Sequence, residues 1–252
     1  MGATIFCFSR ALRLFLVGAI LWACAIGGAQ AGEFGPLEGW TFGTGKGPTV
    51  VVVHEGHGPK PFLGWSERLA KQFPSATVIA ILRPGFRMGG KQSPGNRTFR
   101  DHLTRENNAM LAEALKAAKA RHGNRRLIAV GQYDGALQVG TIIGTFPGIV
   151  DHAILVSCPC DLPRWRIQRK KINNWTSSQS PHDYVRQIPS STRIHMIGGA
   201  RDGFIPVTHV RRHAKLLKKA GKNVKLTVVP RVGFKLAQLE PTINAAIAEA
   251  MR

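Results

Sequence analysis

Gly131-Gln132-Tyr133-Asp134-Gly135 is the stretch that decides how this chain is read. Arg126-Leu127-Ile128-Ala129-Val130 before it forms a short apolar strand, and from Ala136 onward small residues read as a helix. Strand, tight turn and helix are the context that the nucleophile-elbow pattern G-x-S-x-G requires. Here a tyrosine occupies the serine's place. Two glycines four apart are a short signal, so the reading rests on what flanks them.

Upstream, Thr49-Val50-Val51-Val52-Val53 is a β-branched run without alternation, which predicts a central strand covered on both faces. It stops at His54-Glu55-Gly56-His57-Gly58-Pro59. A helix is expected from about Trp65 to Phe73, then a buried strand from Thr77 to Leu82, a turn at Arg83-Pro84-Gly85, and a loop from Met88 to Asn96. Helical periodicity runs from Thr104 to His122 and stops at Gly123-Asn124. Downstream, strands are expected at His152–Ser157, Arg193–Ile197 and Val224–Val229, with helices at Pro206–Ala220 and Leu236–Met251. The alternation predicts an α/β fold, a doubly wound, mostly parallel sheet with helices on both faces. Such sheets place their sites beyond the carboxyl ends of the strands. No linker, repeat or low-complexity stretch divides 32–252, which reads as one domain with a short lid around 161–185.

With element order and elbow together, the mature region resembles the α/β-hydrolase superfamily over nearly its whole length. The resemblance implies an oxyanion loop after the first long central strand, here His54-Glu55-Gly56-His57-Gly58, with His54, Gly56 and Asp134 around the pocket. Arg83-Pro84-Gly85 matches a turn common in the superfamily. The superfamily's acid lies in a G-x-x-D-x-x-x-P pattern, which Gly199-Ala200-Arg201-Asp202-Gly203-Phe204-Ile205-Pro206 fits, so Asp202 takes the acid position. The base follows the last strand, where Pro230-Arg231-Val232-Gly233-Phe234 supplies a phenylalanine.

Two of three triad positions are therefore substituted, Tyr133 for the nucleophile and Phe234 for the base. The serine mechanism needs a hydroxyl at the elbow, an imidazole to take its proton and a carboxylate to orient that imidazole. Phe234 transfers no proton. A phenol is more acidic than a serine hydroxyl, but its oxygen lies ~6.5 Å from the α-carbon, past the point of a serine's attack. The elbow is commonly at positive φ, which a bulky residue resists, so Tyr133 is expected to relax the turn. His54, His57 and His182 are the alternative bases. Asp134 is expected at the helix start, where a carboxylate is favourable.

Residues 1–31 carry Arg10 and Arg13, an uncharged apolar run from Leu14 to Ile26, and Ala29-Gln30-Ala31, the pattern of a signal peptide with its cleavage site. The expected mature protein starts at Gly32 and is exported, periplasmic or secreted; lipoprotein anchoring at Cys24 and a membrane anchor are the alternatives. The whole chain has 35 lysines and arginines against 14 acids, and the leader removes two arginines, so the mature part has 33 against 14, a net charge of +19. Such a surface seeks anions, an acidic lipid or envelope polymer among them. No nucleic-acid-binding signature accompanies it. Cys158 and Cys160 are the mature cysteines, a pair with a structural role or a local disulfide rather than a metal site. No cofactor or metal is called for, and the oligomeric state is left open.

Trp165, Arg166, Arg169, Lys170, Lys171 and Trp175 form the densest basic and aromatic patch. It reads either as an anion grip or as a lid whose tryptophans pack inward while its cations face water. The functional expectation is an exported hydrolase relative that has lost its chemistry and acts by binding a small-molecule or acyl ligand. The alternatives are an active esterase or peptidase with a rearranged site, and a basic envelope-binding protein.

Overall fold

A computed structural model of the chain describes residues 32–96 and 101–252. The signal-peptide and Cys24 expectations lie outside the described residues. Seven strands form the main sheet: β1 (Gly39–Phe42), β2 (Thr49–Val53), β3 (Thr77–Ile81), β6 (Leu127–Gln132), β7 (His152–Val156), β8 (Arg193–Gly199) and β9 (Val224–Val229), in the order β1-β3-β2-β6-β7-β8-β9. Only β1 runs antiparallel, along β3 at the edge; every other pairing is parallel.

The unbroken apolar runs are explained by burial on both sides. Val51 and Val53 face one core with Leu127, Ala129 and Leu155, while Val50 and Val52 face the other with Ile128, Val130 and Ile154. Helices α2 (Arg105–Arg121), α3 (Asp134–Thr145) and α5 (Val207–Lys219) cover the first face. Helices α1 (Lys60–Gln72) and α6 (Leu236–Met251) cover the second. A strand covered on both faces needs no polar face, so period-two alternation is absent from its sequence.

Several local expectations need correction. Helix α1 begins at Lys60, five residues before Trp65, because Pro61 falls in its first turn, where a missing N–H is no loss. The stretch from Met88 to Asn96 is not all loop: β4 (Arg87–Met88) and β5 (Lys91–Gln92) make a small hairpin. Strand β1 is four residues long with large apolar groups only at Trp40 and Phe42, too few for periodicity to reveal it. The region 161–185 holds α4 (Leu162–Lys170) and a 3₁₀ turn over Pro181–Gln187. Among the described residues no helix is long and apolar enough to cross a membrane.

The order of the strands positions the site. From β2 the chain steps outward to β3, then crosses back over β2 to β6 and proceeds the other way. The carboxyl ends of β2 and β6 therefore diverge into connections on opposite faces, and the crevice between them is where such sheets bind ligands.

Candidate functional site

The elbow sits at this crevice. A Cβ on Gly131 would collide with the backbone of Gly135, and one on Gly135 with the carbonyl oxygens of Val53 and His54. The two glycines thus let α3 start directly against the end of β2. Between them Tyr133 has φ 49° and ψ −106°, so the expected relaxation of the turn does not occur. Its N–H donates to Val156 O at 3.0 Å and its carbonyl accepts from Leu137 N at 2.9 Å, which clamp the backbone from both sides. Backbone strain of about 1–3 kcal/mol persists only where surroundings over-determine it, and here they do.

The phenol of Tyr133 enters a row of rings. Its centroid lies 5.7 Å from Trp165 and 5.1 Å from Phe204, both edge to face. Phe204 continues the row to Phe234 at 5.6 Å, and Trp165 continues it to Trp175 at 6.3 Å. Burial foremost, then the neighbouring Asp134 carboxylate, raises the Tyr133 hydroxyl above its ordinary range, against the pull of Arg169 and Arg166. No described side chain accepts or donates a hydrogen bond at that hydroxyl, and without a base it stays a neutral phenol.

Asp202 is buried beyond the end of β8. Its Oδ1 accepts from Phe204 N at 2.9 Å and Ile205 N at 2.7 Å, while Oδ2 accepts from the Ser157 hydroxyl at 3.0 Å. Burial pushes the carboxyl up, and these hydrogen bonds oppose that. Phe234, 39% exposed, touches Phe204 by its ring, and its carbonyl accepts from Gln132 Nε2. The Asp202 carboxylate is thus engaged by a serine and two backbone N–H groups, and Phe204 and Phe234 border the space next to that serine.

Each of the alternative bases has a partner of its own. His54 is buried, its Nε2 accepting from Arg83 N at 3.1 Å and its Nδ1 donating to Glu55 O at 2.7 Å; it braces the loop and does not line the cavity described below. His57 lines both of the cavities described below, as Tyr133 does, and is exposed and paired with Glu55, which raises it. His182 does meet a hydroxyl, Ser180 Oγ at 2.9 Å, with Asp183 at 3.2 Å from its other nitrogen. That serine is buried and already bonded to Leu162 N and Cys160 O, so the trio is a brace for the lid.

Asp134, the first residue of α3, is buried with its carboxylate above Gly56. Its Oδ2 lies 3.7 Å from Arg83 Nη1 and 3.5 Å from His102 Nε2. Arg83 is wholly buried and reaches Gln138 Oε1 at 2.6 Å; burial lowers it, and Asp134 works against that. Asp134 Oδ1 and both ring nitrogens of His102 have no hydrogen-bond partner among the described residues.

These groups line a cavity of about 530 Å³ that Tyr133, Trp165, Trp175 and Phe204 wall with rings. A smaller space of about 300 Å³, bounded by Ser157, Phe204, Ile205 and Phe234, adjoins it across Tyr133. The lid patch divides. Trp165 and Trp175 pack inward, Arg166 is buried with its guanidinium 4.6 Å from the Trp175 centroid, and Arg169 lies 4.1 Å over Phe204. Arg166, Arg169 and Lys170 line the cavity, whereas Lys171 is the left-handed cap that ends α4 and lines none of the described cavities. Cys158 and Cys160 form a disulfide at the base of the lid. Sequence reasoning missed Ser157, His102 and the part played by Phe204. Ser157 had a usable signal, a polar residue closing a buried strand; His102 and Phe204 had none.

No protein-family model matches the chain, and no curated protein matches it in sequence. Solved structures do match in shape. An esterase of Pyrococcus furiosus is similar with a TM-score of 0.65 at 20% identity, over 85% of this chain and 86% of that one. A putative dienelactone hydrolase from Klebsiella pneumoniae gives 0.62 at 18% identity, over 85% and 92%. Esterase PE8 gives 0.60 at 18% identity, over 85% and 99%. The chain has the α/β-hydrolase fold.

Proposed function

We propose that this chain is an exported protein of the α/β-hydrolase fold that binds a small organic ligand without hydrolysing it. The observation that carries the reading is the aromatic row itself. Where the mechanism needs a hydroxyl, an imidazole and a carboxylate in sequence, Tyr133, Phe204 and Phe234 stand ring against ring. Asp202, the acidic member, is bonded to Ser157 instead. A raised phenol without a base is a poor nucleophile, which also argues against a rearranged site built on Tyr133. Loss of nucleophile or base alone costs a serine-triad enzyme about 10⁶ in kcat.

The test is hydrolysis of short aryl esters by the purified protein. Turnover of 4-nitrophenyl acetate is expected to stay at the buffer rate, and Asp202→Ala is expected to leave it there. Ordinary enzymatic rates that vanish in Asp202→Ala would overturn the reading.

A further inference from the structure

The cavity beside Tyr133 has an internal polarity that names a class of ligand. This inference rests on the reading that the pocket binds, and it concerns what is bound. Three features carry it.

First, the walls are rings. Phe86, Tyr133, Trp165, Trp175 and Phe204 all line the space, and a planar ligand slides against such faces with more gain than a flexible chain, through offset and edge contacts. Second, buried polar atoms lack partners at the inner end. Asp134 is 2% exposed and His102 is 7% exposed, yet Asp134 Oδ1 and both His102 nitrogens have no hydrogen bond among the described residues, with His102 Nε2 facing Asp134 Oδ2 at 3.5 Å. A buried carboxylate oxygen without a donor is costly, and an incoming hydroxyl that donates to it removes that cost. Third, the outer end is cationic. Arg169 and Lys170 are exposed at the rim, and Arg166 is buried against Trp175, the ring that also meets His102 at 5.8 Å, with its Nη2 on Asn174 and its Nε unbonded. The Trp175 indole N–H beside it is also without a partner.

We infer that the cavity takes a planar aromatic carboxylate bearing a hydroxyl at the opposite end. The ring lies among the tryptophans. The carboxylate meets Arg169 and Lys170 at the exposed rim, and the hydroxyl donates to Asp134 while His102 accepts or donates beside it. An anion at the inner end would face Asp134, so the polarity also sets the direction of entry.

Calorimetric titration of the full-length mature protein tests this with three probes: 4-hydroxycinnamate, cinnamate and methyl 4-hydroxycinnamate. One equivalent of 4-hydroxycinnamate is expected to bind. Cinnamate, lacking the hydroxyl, and the methyl ester, lacking the charge, are each expected to bind about tenfold more weakly. The exposed pair Arg169→Gln with Lys170→Gln is expected to weaken the acid about tenfold and the ester little. Asp134→Asn is expected to erase the preference for the hydroxyl. His102→Gln gives a second route to that end if Asp134→Asn does not fold. Equal affinity for acid and ester, or no binding of any probe, would overturn the inference. So would capture on phosphatidylglycerol vesicles without binding of the acid, since the cations would then serve a membrane surface. Ester turnover would instead sink the reading of a non-hydrolytic pocket and leave the acid-binding result intact, so the two failures are distinguishable.

Discussion

The elbow at Gly131–Gly135 and the loop ending at Phe234 follow two parallel strands of one sheet, and each carries an aromatic residue at a position where the resemblance implies a reactive one. They are held in opposite ways. Tyr133 keeps a left-handed backbone conformation because the glycines beside it pin α3 to the end of β2. Phe234 is 39% exposed and tied mainly through its backbone carbonyl to Gln132. An elbow's backbone geometry is therefore kept where packing demands it, whatever side chain it carries, whereas the loop station at Phe234 is fixed by one ring contact and one carbonyl.

The largest effect expected from breaking this contrast is chemical. Tyr133→Ser with Phe234→His places a hydroxyl on an elbow already in position and an imidazole near Asp202, and 4-nitrophenyl acetate hydrolysis is expected to rise on the order of 10²-fold over wild type, since a full triad is worth about 10⁶. Neither single change is expected to raise it. Next comes Gly135→Ala, whose methyl collides with two carbonyl oxygens of the neighbouring strand end. Urea unfolding is expected to show a loss of about 3 kcal/mol or more, the scale of overpacking against a backbone that cannot move.

Acid should strike both stations together, through histidines belonging to neither. Burial lowers His213 and His152 from 6.5 to about 4. Below 6.5 the unfolded chain takes up protons that the folded chain refuses, so stability falls as pH drops from about 6.5 toward 4 and levels off beneath that. For His213 the loss is on the order of 3 kcal/mol, at about 1.4 per unit. Asp202, raised by burial, acts in the opposite sense only in the interval just above its ordinary 3.8. Thermal midpoints measured from pH 8 to 4 check the slope; a flat profile would place these imidazoles in water.

The smallest effects sharpen the contrast most. Tyr133→Gly and Tyr133→Ala both remove the ring, but only glycine suits φ 49°, so the glycine variant is expected to be about 1 kcal/mol the more stable. At a relaxed helix start the two would differ by only tenths. Phe234→Ala is expected to cost under about 1 kcal/mol, as a surface change does.

Much of the architecture was legible because a parallel strand buried on both faces reads as an unbroken apolar run, as 50–53 and 153–156 do. Edge strand β1 was not, since its four residues hold large apolar groups only at Trp40 and Phe42, too few to show a period. That Tyr133, Asp202 and Phe234 follow strand ends was legible from the alternation of elements, while the roles given to them are what the resemblance implies. Their surroundings were not. His54 has the spacing of a pocket residue, yet its two nitrogens are spent on Glu55 and Arg83. Lys171 belongs to a basic run, yet it faces away as a helix cap.

What the sequence determined by itself is local: where strands and helices alternate, which side chains must be covered, and that Tyr133 and Phe234 carry rings where the resemblance implies a hydroxyl and an imidazole. Only the tertiary structure brought His102 and Asp134 together at the floor of a cavity, laid Phe204 between Tyr133 and Phe234, and turned Ser157 toward Asp202. The physical reason is that periodicity is written within a few residues, whereas a site at the carboxyl edge of a sheet is assembled from loops whose meeting depends on strand order and on the packing of every helix beneath them.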